Sequence, residues 1–325
     1  MIQDLRLRIK TGGKPALIAE ALSIGFFALV MLAASLTQIS LIIFPELGAL
    51  SSDVLIRPGG KWAKSPWKLI LTPTLAAIVG VVVSQRLAYG IGSVLLTMCL
   101  CIGVVFGLRS AVAPAISAGV LALTLGITSW MYPICIFSSL SILTALMIVW
   151  RRTAFGRKLM PEQGADRRAT EALEASPQGW TWFVSLFLLV AVLATVVQFT
   201  HWRFILFPPL IVMAFEMLGH PETCAWAKAP YTFPVVCTFA AGFGLVVVKF
   251  LGVNPIASSI VLAATFLMLR LVRLRMPPAL AVGLIPLVIP FPSWQFPVSV
   301  AIGTSLLTAW FLIYRRVVND RQIER

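Results

Sequence analysis

The chain has 325 residues, of which 59% are hydrophobic and only 12% charged, and its mean hydropathy is +0.94. A water-soluble globule is excluded, because so few polar side chains cannot cover a folded core of this size. The net charge of +14 would suit nucleic acid in a polar protein, but in so apolar a chain it reads as basic loops that orient helices in a bilayer.

In chain order, residues 1–15 form a short basic tail, with no pattern of a cleavable signal ahead of a soluble domain. Apolar segments follow at roughly 17–38, 41–56, 68–85, 88–107, 110–128 and 131–150, separated by charges and by Pro or Gly. Residues 151–179 are basic, with Glu162, Asp166, Glu171 and Glu174 interspersed, and read as a cytoplasmic linker with a short helix around 165–175. Six further apolar segments lie at roughly 180–200, 204–218, 231–251, 254–269, 277–291 and 296–314.

The second set echoes the first. Trp62-Ala63-Lys64-Ser65-Pro66 returns as Trp226-Ala227-Lys228-Ala229-Pro230, Ser129-Trp130 as Ser293-Trp294, and Arg151-Arg152 as Arg315-Arg316, each about 164 positions on. Gly80 and Gly244 keep the same offset, as do Pro133 and Pro297. The predicted fold class is therefore all-α, a polytopic transmembrane helix bundle of two pseudo-symmetric repeats, 1–150 and 180–325, an organisation found in transporters and channels. An even number of segments per copy makes the repeats parallel, related by an axis along the membrane normal.

If every segment crosses and the N-terminus is cytoplasmic, all of the 26 Lys and Arg residues except Arg86, Arg203 and Lys249 lie inside, as the positive-inside rule asks. The reading is thus twelve crossings of a bacterial inner (plasma) membrane, with both termini cytoplasmic. Segments two and five of each copy stand apart. They are near or below spanning length, open with proline and carry small or polar residues, the pattern of short, tilted or broken helices.

Cys99, Cys101, Cys135, Cys224 and Cys237 sit mostly inside apolar runs without the spacing of a zinc or redox motif, and read as small buried hydrophobes. No Ser/His/Asp set, phosphate loop or metal cluster can be assembled, so an enzyme is a weak hypothesis and no cofactor is implied. The best polar constellation lies in segment two. Phe44-Pro45 and Phe207-Pro208 mark helix starts, and an acid then precedes a base by one helical turn in each copy: Asp53 with Arg57, and Glu216 with His220. Such pairs form either a cytoplasmic gate, or proton relay with His220 titrating near neutral pH, or structural ion pairs that reach water at the membrane surface.

Glu46 breaks the repeat, since Pro209 stands at the equivalent place. It either complements the positive end of its helix or serves as a coupling-ion or proton site. Segment five opens at Ala113-Pro114-Ala115 and at Met276-Pro277-Pro278-Ala279, running opposite to segment two. Oppositely directed short helices can hold a small anion with backbone N–H groups; small residues such as Gly119 and Gly283 fit ordinary close packing equally well. Trp62, Trp67, Trp130, Trp180, Trp226 and Trp294 read as aromatic belts.

Each copy resembles the HPP family of integral membrane proteins, named for a His-Pro-Pro motif. The residues that carry the resemblance are the turns Ala63-Lys64-Ser65-Pro66 and Ala227-Lys228-Ala229-Pro230, the following Gly80 and Gly244, the Met276-Pro277-Pro278-Ala279 and Ala113-Pro114-Ala115 elements, and the last helix ending in Tyr314-Arg315-Arg316. The motif histidine is replaced by Met276 and Ala113, so a role needing that imidazole does not carry over. The resemblance implies four membrane helices per domain and transport of a small anion such as nitrite. The six-segment repeat is also similar to aromatic-acid exporters of the fusaric acid resistance type.

The expected function is a membrane transporter or channel for a small solute, an anion such as nitrite. The alternatives are an exporter of weak organic acids and a non-transporting scaffold subunit. Expected partners are the lipid bilayer and a small-molecule solute, with a homo-oligomer left open and nucleic acid excluded. An acid exporter needs a cavity that admits an aromatic ring, whereas an inorganic-anion path is narrow and ringed by helix starts.

Overall fold

The computed structural model describes residues 13–160 and 180–323. Most of the linker and the helix expected at 165–175 lie outside these residues, as do Arg6, Arg8 and Lys10 of the basic tail. The described residues contain helices and no strand. In the first half the helices are α1 (Lys14–Thr37), α2 (Glu46–Ile56), α3 (Pro66–Arg86), α4 (Ile91–Gly107), α5 (Pro114–Leu125), α6 (Met131–Arg152) and the short α7 (Ala154–Lys158). The second half has α8 (Thr181–Thr200), α9 (Pro208–Gly219), α10 (Thr232–Leu251), α11 (Pro255–Leu271), α12 (Pro278–Leu284, prolonged by a 3-10 turn to Leu287) and α13 (Gln295–Ile323).

Six of these, α1, α3, α6, α8, α10 and α13, are long and apolar enough to cross a membrane. The expected twelve crossings need a correction of kind. At about 1.5 Å per residue the 11 residues of α2 rise only ~16 Å, about half of a ~30 Å hydrocarbon core. These segments do not span as helices. They traverse part of the molecule as extended or 3-10 chain, at Ser40–Ile42 before α2 and Arg203–Leu206 before α9. Ser40–Ile42 has no buried residue and Arg203 is exposed, whereas Ile43, Phe44, Ile205, Leu206 and Phe207, which lead into α2 and α9, are buried, as irregular backbone at membrane depth must be.

Side-chain contacts bring several segment ends together. At one end, Trp150 Nε1 donates to the Leu55 carbonyl (2.9 Å), Lys68 Nζ to the Arg109 carbonyl (2.7 Å), and Arg270 pairs with Glu20 (2.6 Å). At the opposite end, Gln85 donates to the Thr128 carbonyl (2.7 Å), Arg203 stacks on Tyr89 and Lys249 on Trp294. The segments therefore alternate in direction. Arg86, Arg203 and Lys249 share the second end, while the first holds Arg57, Lys61, Lys68, Arg109, Arg151, Arg270 and Arg275.

Packing follows from small residues. α3 crosses α5 so closely that a Cβ at Gly80 would overlap the Gly119 carbonyl, and α10 crosses α12 in the same way at Gly244 and Gly283. Where lipid supplies no hydrophobic drive between helices, such close backbone approach is what holds crossings together. The halves interlock reciprocally: α1 packs on α11 and α8 on α4, while α2 packs on α12 and α9 on α5. Left-handed non-glycine residues follow four helices, Gln38 and His201 after α1 and α8, and Arg109 and Arg273 after α4 and α11.

Candidate functional site

The four short helices meet at their first turns. A void of about 10 Å³ is lined by Glu46 and Ala49 of α2, Pro114 and Ser117 of α5, Pro209 and Val212 of α9, and Pro278 and Ala281 of α12. Each helix thus presents a residue at its start and the one a turn later. Proline opens α5, α9 and α12 because the first turn has no intrahelical partner for an N–H, and the small side chains let the four backbones converge. The volume is near the minimum that holds one water.

Glu46 is the polar centre of this void. It is 2% exposed. One carboxyl oxygen accepts a hydrogen bond from Ser117 Oγ, and the other, Oε2, is buried with no hydrogen-bond partner among the described residues. Tyr132 lies beside this layer: it packs edge-on against Phe44 and donates its hydroxyl to the Ala118 carbonyl (2.9 Å). No lysine, arginine or histidine lines the void.

Anion coordination by backbone N–H groups needs correction. The Leu47 and Gly48 amides already bond the Phe44 and Pro45 carbonyls, at 2.9 and 3.0 Å. Those of Ala115, Ile116 and Leu210 likewise bond Val112, Ala113 and Phe207. The void therefore receives the field of the helix starts but not these donors. Pro277 caps α12 and stands back from the void, which Pro278 lines.

Two turns along α2, about 10 Å away, lies a second polar layer. Asp53 is 1% exposed and its Oδ1 accepts from Arg57 Nε (3.0 Å) and from Arg275 of the other half (3.3 Å). The expected Asp53–Arg57 pair is present, joined by a base that sequence spacing could not assign. The expected Glu216–His220 pair is replaced: both Glu216 oxygens accept from Lys61 Nζ, at 2.7 and 2.9 Å. Each acid is thus held by a base from the opposite half. Neither acid reaches water, since Glu216 is only 6% exposed, because the partner half covers it.

His220 caps α9 and packs edge-on against Phe215. Burial pushes its imidazole below the ordinary value of 6.5, and Lys61 adds to this while Glu216 opposes it. Burial therefore favours the neutral ring over the charged one.

Other expectations divide. Trp67, Trp130, Trp180 and Trp294 are exposed as belt residues should be. Trp62 and Trp226 are instead buried at 4% and 8%, and Trp226 Nε1 donates to the Met213 carbonyl. All five cysteines are free, four of them buried. Met276 and Ala113, at the motif positions, are core residues exposed by 0% and 1%. Sequence reasoning missed Ser117, Lys61 and Arg275. Ser117 could have been found as the hydroxyl one turn inside a proline-headed helix; the long-range pairs carry no local signal.

The fold and site define an all-helical protein with apolar membrane-length helices around a core of four short ones. No family model, curated protein or solved structure matches the chain.

Proposed function

We propose that the chain is an integral membrane transporter of two parallel repeats, moving a small solute, an anion such as nitrite, through the crossing of the four short helices. The observation that carries this is a buried carboxyl in the core of the molecule, at a void where helix starts converge. A buried ionisable group that membrane-protein folds retain marks a solute or ion path by default. The reciprocal interlock of α1 with α11 and α8 with α4 supports the repeat reading, as do the left-handed residues and glycine crossings at matching offsets.

Three of the short helices, α2, α5 and α9, are long enough to bring a positive field to the void, which favours an anion over a cation. The bases at one end would gather anions and set that end cytoplasmic. The void is narrow, as an inorganic-anion path should be, and corresponds to a closed state of the path. Resemblance to the HPP family points to nitrite. No enzyme activity is proposed.

One observation favours the organic-acid exporter. An open apolar groove of about 550 Å³, lined by Phe239, Phe243 and Trp294 among others, has room for an aromatic ring. It ranks second because its lining is apolar and the buried acids Glu46, Asp53 and Glu216 lie elsewhere.

Flux into proteoliposomes holding only the purified chain tests these readings, with nitrite, nitrate, formate and benzoate as solutes. Saturable uptake of nitrite or another small anion is expected. Benzoate flux alone would move the exporter first, and silence for every solute from folded protein would leave the scaffold.

A further inference from the structure

Glu46 cannot be accounted for as a structural ion pair. Of the three buried acids on α2 and α9, Asp53 and Glu216 each have arginine or lysine partners, while Glu46 has a hydroxyl partner and no base among the described residues; its Oε2, like Asp53 Oδ2, has no hydrogen-bond partner. Leaving a carboxylate in that state disfavours the fold unless it takes up a proton or a cation. A cation would need several oxygen ligands, and the lining supplies only those of Glu46 and Ser117 as side-chain oxygens. A proton needs one.

The surroundings keep that proton local. On α6, Tyr132 donates its hydroxyl to Ala118, Cys135 lies a turn further on, and Arg151 bonds the Ala63 carbonyl at the basic end. On α1, Glu20 is held by Arg270 at the same end. α5 and α12 carry no ionisable residue. On α2 itself Asp53 is two turns away, between Arg57 and Arg275.

We infer that Glu46 is a proton-loading site coupled to anion occupancy: a protonated carboxyl turns its O–H into the void as a donor for a small anion, and deprotonation expels the anion. The argument rests on the transport reading for its solute, but the proton site itself is a property of the folded chain. The amides of Leu47, Gly48, Ala115, Ile116 and Leu210 are already occupied and Ser117 already donates to Glu46, so this O–H is a donor the void can add. The step is a simple protonation, carboxylate plus proton giving carboxylic acid, with the proton drawn from the side on which the path opens.

Two readouts on the full-length chain test it. Infrared difference spectroscopy on purified protein, nitrite-bound minus nitrite-free, should show a protonated-carboxyl C=O band that nitrite shifts and that is missing in Glu46→Gln. In proteoliposomes, an inward proton gradient should raise wild-type nitrite uptake, by up to about tenfold per pH unit where the carboxyl is mostly ionised. Glu46→Gln, which cannot take up or release a proton, should lose the response to the gradient. A full proton-gradient response in Glu46→Gln would overturn the inference. So would a carboxylate band at Glu46 that nitrite does not move. An infrared signal of the expected kind without flux of any solute would instead overturn the transport reading and leave a proton-linked anion-binding site.

Discussion

α2 and α9 are built alike and used differently. Both are short, follow an irregular approach and a Phe-Pro, line the central void with their first turn, and carry a buried acid near their end that is clamped by a base from the other half. At the first position lining the void, α2 has Glu46 where α9 has Pro209. The acids that match, Asp53 and Glu216, are neutralised; the acid without a counterpart has no base. Among the described residues the matched acids are thus held by bases and Glu46 is not, and proline opposite it brings no N–H to the void.

The largest test removes what both regions rest on. Gly80→Val drives a side chain into the Gly119 backbone, and Gly244→Val does the same at Gly283. Each should destabilise the fold by about 3 kcal/mol, the upper part of the overpacking range, read as loss of monodisperse protein in detergent. Next comes the clamp. Lys61→Ala strands the buried Glu216 carboxylate and should destabilise by about 3 kcal/mol, seen as a lowered unfolding temperature that Lys61→Ala/Glu216→Gln largely restores. Arg275→Ala should have a smaller effect, about 1 kcal/mol, because Arg57 still holds Asp53.

The unmatched acid should behave in the opposite way. Glu46→Gln is expected to change stability by less than about 1 kcal/mol, because an amide replaces a neutral acid of the same shape. A loss as large as that of Lys61→Ala would place a paired carboxylate there. The smallest effect concerns pH. Because burial lowers the His220 value in the fold below its ordinary 6.5, the folded state prefers the neutral ring. The stability this contributes is present above about pH 6.5 and falls away as pH drops through the lowered folded value. The unfolding temperature should therefore decline less between pH 7.5 and 5 in His220→Gln than in the wild type.

Much of this was legible in the sequence, for identifiable reasons. Apolar runs and the Phe44-Pro45 and Phe207-Pro208 punctuation located helices, because proline and charge act on their own neighbourhood. The short segments two and five were legible from length. What failed was partnership across the halves. Spacing paired Glu216 with His220 since they share a helical face, but Lys61 reaches Glu216 from 155 positions away. Trp62 and Trp226 look like interface residues beside basic turns, yet the fold tucks those turns inward. Glu46 was visible as a break in the repeat; its environment was not, since Ser117, Val212 and Ala281 reach it only through tertiary crossing.

The most direct measurement is nitrite flux through variants that fill the void. Ala49→Val and Ala281→Val add methyl groups to a space of about 10 Å³ without touching Glu46. With unfolding temperatures near that of the wild type, each should lower proteoliposome flux at least tenfold, whereas Ala194→Val, buried in α8 away from the void, should not. Unchanged flux in both void variants would place the solute path elsewhere in the molecule and contradict the account.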